Sequence, residues 1–231
     1  PLDRQFVTTA GEDVILREYF GEDPVILILG YYECPQLCSM LHQGLVKALT
    51  NIEQQPAEDY ELVSISIDHG EDPETAAQQK KMLASMYGDE GAAEGFHFLT
   101  GHEADSSAVA QAMGFEYVYV PETDEYAHPA GFAVISPAGR IARYFIGVSF
   151  DPEQLEESLR QARAGEVAPP STSVVLRCFG YDPTVGKYGN IINVSLRIGA
   201  ALTLVILGGF IIYWMRKESR LVPPEKEAAH G

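Results

Sequence analysis

Residues 25–38 read VILILGYYECPQLC, and the rest of the chain can be read outward from them. Val25–Gly30 is an unbroken apolar run, the pattern of a central strand covered on both faces. The apolar residues Met40, Leu41, Leu45, Ala48, Leu49 and Ile52 then recur at helical spacing, which predicts a helix over Cys38–Ile52. Cys34 and Cys38 therefore lie between a strand end and a helix start. Ligands bind at the carboxyl ends of strands in such sheets. A helix N-terminus also stabilises a thiolate. Three residues separate the cysteines, so in a helical segment the sulfurs lie about one turn apart on one face. That spacing supports a disulfide after local adjustment, or a clamp on one metal ion.

Further along, Tyr60–Asp68 alternates and is β-branched, which predicts a strand. Asp72-Pro73-Glu74 opens a helix running to about Tyr87. Phe96–Thr100 reads as a short strand, followed by a helix over Ala104–Met113 that Gly114 ends. Phe115–Val120, Gly131–Ser136 and Arg140–Gly147 read as strands, the last two joined as a hairpin by Pro137-Ala138-Gly139. Asp151–Ala164 closes the series as a helix, Asp151 its N-cap. Parallel crossovers first and an antiparallel hairpin last predict a mixed sheet with helices on both faces. Among α/β folds this order suggests a thioredoxin-like domain.

The chain has 231 residues with 16 Lys+Arg against 33 Asp+Glu, a formal net charge of −17. Nucleic-acid binding needs cations against phosphates, so that class is excluded. Three cysteines are too few for a disulfide-stapled scaffold but enough for one redox pair or metal site. Ile198–Met215 contains 18 consecutive uncharged residues, close to the ~20 needed to cross a bilayer. Arg197 flanks one end, Tyr213 and Trp214 the other, with Arg216, Lys217 and Arg220 after them. This predicts a transmembrane helix over 191–215 with its tail, 216–231, on the cytoplasmic side. Residues 1–164 then form the extracytoplasmic domain, and 165–190 the linker. Export needs a signal. The opening PLDRQFVTTAGEDV has neither a charged n-region nor an apolar h-region, so the signal is expected to precede residue 1.

Two thiolates seldom complete a metal site, and six histidines are candidates to join them. His42 lies four residues past Cys38 on the predicted helix. His69 follows a strand end, His97 and His102 flank a short strand, and His230 is in the tail. His128, in Tyr126-Ala127-His128-Pro129-Ala130-Gly131, is the better placed. In a thioredoxin-like fold the loop before its strand approaches the redox helix.

The segments YYECPQLCSMLHQGLVKAL, VSISIDHGEDPETA, FHFLTG, YAHPAGFAVISPAGRIARYFIG and RCFGYDPTVGKYG closely resemble the SCO/SenC family of copper-binding assembly proteins. The resemblance covers nearly the whole chain and is strongest to the bacterial branch with a C-terminal membrane helix. It implies Cys34 and Cys38 as thiolate ligands of one copper ion and His128 as the imidazole ligand. It places Asp68 at the family's acidic position near the site; His69 stands where many members carry proline. It also implies a bacterial cytoplasmic membrane protein whose globular domain faces the periplasm. The implied client is the binuclear copper centre in subunit II of a cytochrome c oxidase. Two thiolates and an imidazole suit copper, particularly Cu(I). In an oxidising compartment the pair can also cycle to a disulfide. The sequence leaves copper delivery and thiol reduction open as alternatives. It also leaves open a thiol–disulfide reductase or peroxidase without copper, and a non-catalytic subunit of a respiratory complex. Cys178, beside the predicted membrane linker, reads as a packed thiol.

Overall fold

The computed structural model describes residues 1–34, 37–89, 91–166, 197–210 and 212, with Leu37 and Cys38 by backbone alone. The chain divides into two units, Pro1–Pro183 and Thr184–Gly231.

The first unit opens with an antiparallel hairpin, β1 (Gln5–Val7) and β2 (Asp13–Ile15). Then come β3 (Val25–Gly30), α1 (Leu37–Leu49), β4 (Glu61–Ser66), α2 (Pro73–Tyr87), β5 (Phe96–Leu99) and α3 (Glu103–Met113). A second hairpin, β6 (Val118–Val120) and β7 (Glu125–Ala127), precedes β8 (Gly131–Ile135), β9 (Ile141–Ile146) and α4 (Pro152–Arg163). Five strands form one sheet in the order β5-β4-β3-β8-β9. β3 pairs in parallel with β4, and β4 with β5, while β8 runs antiparallel to β3 and β9. This is the mixed α/β, thioredoxin-like arrangement that the sequence predicts.

β3 lies in the middle, and every residue of it is buried. Side chains alternate across a strand, so its apolar run supplies two cores. Ile26 and Ile28 face Leu41, Leu45, Leu49, Leu155 and Leu159 of α1 and α4. Val25, Leu27 and Leu29 face Val109 and Met113 of α3, with Phe6 and Leu16 from the N-terminal segment. The helix boundaries follow local signals. Asp72 caps α2 by accepting from the Thr75 N–H at 2.8 Å, with Pro73 in the first turn. Gly114 ends α3 in the left-handed region at φ 64°.

Two regions differ from expectation. Phe115–Val120 does not extend the main sheet; only Val118–Val120 is strand, and it pairs with β7 instead. The β1–β2 hairpin is new. It extends the β5 edge through reciprocal Val7 and Thr100 backbone hydrogen bonds of 2.7 and 3.0 Å.

In the second unit residues 197–210 are helical, and Leu202, Leu204, Val205, Ile206, Leu207 and Phe210 on it are exposed. Among the described residues no helix is long and apolar enough to cross a membrane. Most of the expected linker, the tail and the two ends of the expected span lie outside the described residues, as do Cys178 and His230.

Candidate functional site

β3 ends at Gly30, and the chain then runs over the carboxyl edge of the sheet towards α1. Two tyrosines fix that path. The buried Tyr32 hydroxyl accepts from the Leu99 N–H at 3.0 Å. Its proton serves the Ser64 or the Leu99 carbonyl, at 2.9 and 2.8 Å. The Tyr32 carbonyl accepts from Gln79 Nε2 of α2 at 2.7 Å. One residue on, the Glu33 N–H donates to Glu71 Oε1 at 2.7 Å. β4, β5 and α2 thus hold the two residues before Cys34. Cys34 itself is half-buried, packed on the core beneath α3. Cys38 is the second residue of α1 by its backbone.

His128 arrives from the other side, between β7 and β8, and is 6% exposed. Its Nδ1 lies 3.0 Å from the Pro129 carbonyl oxygen. A carbonyl only accepts, so Nδ1 carries a hydrogen and Nε2 is the nitrogen that would serve as a metal ligand. The ring stands edge-on to Tyr31 and tilted against Phe115, with centroids 5.7 Å away in each case. The antiparallel register, Ile28 opposite Phe132, explains the meeting. Continuing past that pair, both chains reach the same edge of the sheet.

His42, one turn into α1 beyond Cys38, is also buried, with its ring edge-on to Phe98. His42, His128, Tyr31, Tyr32 and Ser64 share the lining of a cavity of about 10 Å³, room for roughly one water. Among the described residues His42 Nδ1 has no hydrogen-bond partner. Burial pulls its pKa down to about 4 against the opposing charge of Cys34, so the ring is neutral at pH 7.

Asp68 follows β4 and accepts from the Gly70 N–H at 2.8 Å. Its charge reaches Tyr126 of the second hairpin, whose phenol is pushed up to about 12 by burial first and Asp68 next. The structure thus brings the Cys34 segment, His42 and His128 together at one edge of the sheet, with Asp68 near the hairpin that leads to His128. The other described histidines are placed differently. His69 and His102 are exposed. His97 is paired with Glu61 at 2.7 Å, near the opposite end of the strands. Among the described residues no three His, Cys, Asp or Glu side chains are grouped to hold a metal ion. The Cys38 side chain lies outside them.

Glu71 is a site residue that sequence reasoning missed. Its carboxyl is pushed up to about 7, by burial above all, with Asp68 adding to the rise and hydrogen bonds from Ser66 and the Glu33 N–H opposing it. In sequence it is one acid in the run Gly70-Glu71-Asp72 before a helix, with nothing to mark it as buried.

The SCO1/SenC family model matches residues 3–164. No curated protein matches the sequence. Solved structures do. An Aquifex aeolicus protein proposed to act in electron transfer is 24% identical, covers 72% of this chain and 92% of its own, and superposes with a TM-score of 0.60. Arabidopsis thaliana ScoI, solved with copper bound, is 18% identical over 70% of this chain and 96% of its own, at 0.56. BsSco, described by its disulfide switch and as a member of the Sco family of cytochrome c oxidase assembly proteins, is 22% identical. It covers 71% of this chain and 96% of its own, at 0.52. At these identities the likenesses establish the fold.

Proposed function

This chain belongs to the SCO1/SenC family, and on that premise we propose that it is a membrane-anchored copper chaperone with thiol-redox capacity. Its cargo is one copper ion, held by Cys34, Cys38 and His128. Its client is the binuclear copper centre in subunit II of a cytochrome c oxidase. The observation that carries this reading is the convergence of the cysteine loop and a buried histidine whose Nδ1 is already engaged. Thiolates and an imidazole are soft and borderline donors that favour copper over the hard cations. Three protein ligands leave an open edge through which an ion can pass to a partner. The apolar, exposed helix within 197–210 supports the anchor, and the acidic body with a basic tail supports the orientation, globular domain outside.

Anaerobic Cu(I) titration and metal analysis of the full chain test the reading. One copper per chain is expected. Cys34→Ala or Cys38→Ala abolishes tight binding. His128→Ala weakens it and alters the Cu(II) spectrum. A His128→Ala chain that binds both oxidation states like the wild type removes the third ligand. A wild-type chain that binds no copper but reduces disulfides leaves a thiol–disulfide reductase.

A further inference from the structure

Behind the cysteine loop lies a carboxylate that no ion pair explains. Glu71 is 9% exposed. None of the ion pairs among the described residues includes it. The charged group facing it is Asp68, another anion. What it does have is hydrogen-bond partners: the Glu33 N–H, the Ser66 hydroxyl and the Tyr32 backbone. The Glu33 N–H points at Oε1 from 2.7 Å, and the Ser66 hydroxyl at Oε2 from 2.5 Å. The Glu33 N–H is an obligate donor, so Oε1 must accept, while the single Ser66 proton is shared between Oε2 and the Asp68 carbonyl oxygen, 3.0 Å away. A carboxyl oxygen supplies that acceptor, and an amide carbonyl can supply it too. Hydrogen bonds to a charged acceptor are also roughly twice as strong as neutral ones.

We infer that Glu71 is the positioning residue of the thiol site, clamping the backbone at Glu33 to β4 so that Cys34 is held at the edge where His128 lies. The importance of this clamp rests on Cys34 being a working thiol; the clamp itself does not. Tyr32 is fixed through its hydroxyl and its carbonyl, and the Glu33–Glu71 bond is the next hold along the chain.

The test is residue-resolved amide hydrogen exchange on the full chain, with Cys34 alkylation rate and the Cu(II)–thiolate absorption band beside it. Glu71→Ala should raise exchange at the Glu33 N–H at least tenfold, the loss of roughly one charged hydrogen bond. Amides of β3 and β8 should not change. Cys34 should alkylate faster, and the Cu(II) band should shift. Glu71→Gln keeps one acceptor for Glu33 and should recover most of the protection and the band. Should Glu71→Ala fail to fold, Ser66→Ala frees Oε2 and should raise Glu33 exchange about threefold. Wild-type exchange at Glu33 in these variants overturns the clamp. So does a rise spread evenly over β3, β4 and β8, which marks general destabilisation. A wild-type chain that binds no copper yet protects the Glu33 amide removes the copper reading and supports the clamp.

Discussion

His42 and His128 are buried to nearly the same degree, yet only one has its nitrogens sorted. The Pro129 carbonyl accepts from Nδ1 of His128, while His42 Nδ1 has no partner among the described residues. A buried polar atom left unpaired costs about 1–3 kcal/mol. His42→Leu should therefore be tolerated or stabilising, and the gain should depend on pH. With its pKa near 4 in the fold and near 6.5 unfolded, His42 binds its proton more readily in the unfolded chain. Wild-type stability falls as pH drops from about 6.5 to 4, by at most about 3 kcal/mol from this group. Glu71 acts in the opposite direction. Its folded pKa of about 7 exceeds the unfolded value of about 4.5, so the fold holds the proton better and loses stability as pH rises from about 4.5 to 7. Denaturant titrations between pH 4 and 8 should show His42→Leu gaining on the wild type mainly below pH 6.5. Glu71→Gln should compare best above pH 7, less the cost of its weakened clamp. Difference curves flat in pH would mean neither group titrates on unfolding as its burial implies.

At the scale of elements, α1 is held against the β9–α4 connection by the absence of a side chain. A Cβ on Gly44 would lie 2.0 Å from the Val148 carbonyl oxygen, a backbone atom that cannot rotate away. Alanine normally favours a helix over glycine by about 1 kcal/mol, but here the clash should win. Gly44→Ala should destabilise by roughly 1–3 kcal/mol, read as a lowered denaturation midpoint with unchanged slope. Ordinary stability in that variant would mean the connection yields freely. What was legible in the sequence follows the range of the signals. VILILG announces a strand covered on both faces, and Asp72-Pro73 and Asp151-Pro152 announce helix starts, because each depends on residues a turn apart. The β1 and β2 strands are three residues each, too short for alternation to stand out. Phe115–Val120 alternates as a strand should, but its partner is β7, and pairing is a tertiary choice. The cysteine spacing and the His128 loop were legible as chemistry. The burial of Glu71 and the shared cavity of the two histidines were not, since both arise from strands adjacent only in the folded sheet.

For the whole molecule, charge is divided as unevenly as hydropathy. Residues 191–231 hold five of the 16 Lys+Arg and three of the 33 Asp+Glu, so the first 190 residues carry a net −19. An acidic body favours encounter with cationic partner surfaces and sets rate more than identity. Under the proposed function, the basic residues after Met215 would keep the tail on the cytoplasmic side. Under that function, too, the site can reach its client only if that client exposes its own copper ligands on the same outer face. Protease applied from outside intact cells should therefore remove residues 1–190 and spare the tail. Deleting the protein should lower copper-centre occupancy and oxidase activity, most severely at low copper, and added copper should restore part of both. A chain carrying Cys34→Ala should behave like the deletion. Cys178→Ser should behave like the wild type, because residue 178 lies beyond the matched domain, which ends at residue 164. Cleavage of the tail from outside would reverse the orientation. Normal oxidase assembly in copper-starved deletion cells would remove this client and leave thiol reduction as the stronger account of the Cys34/Cys38 pair.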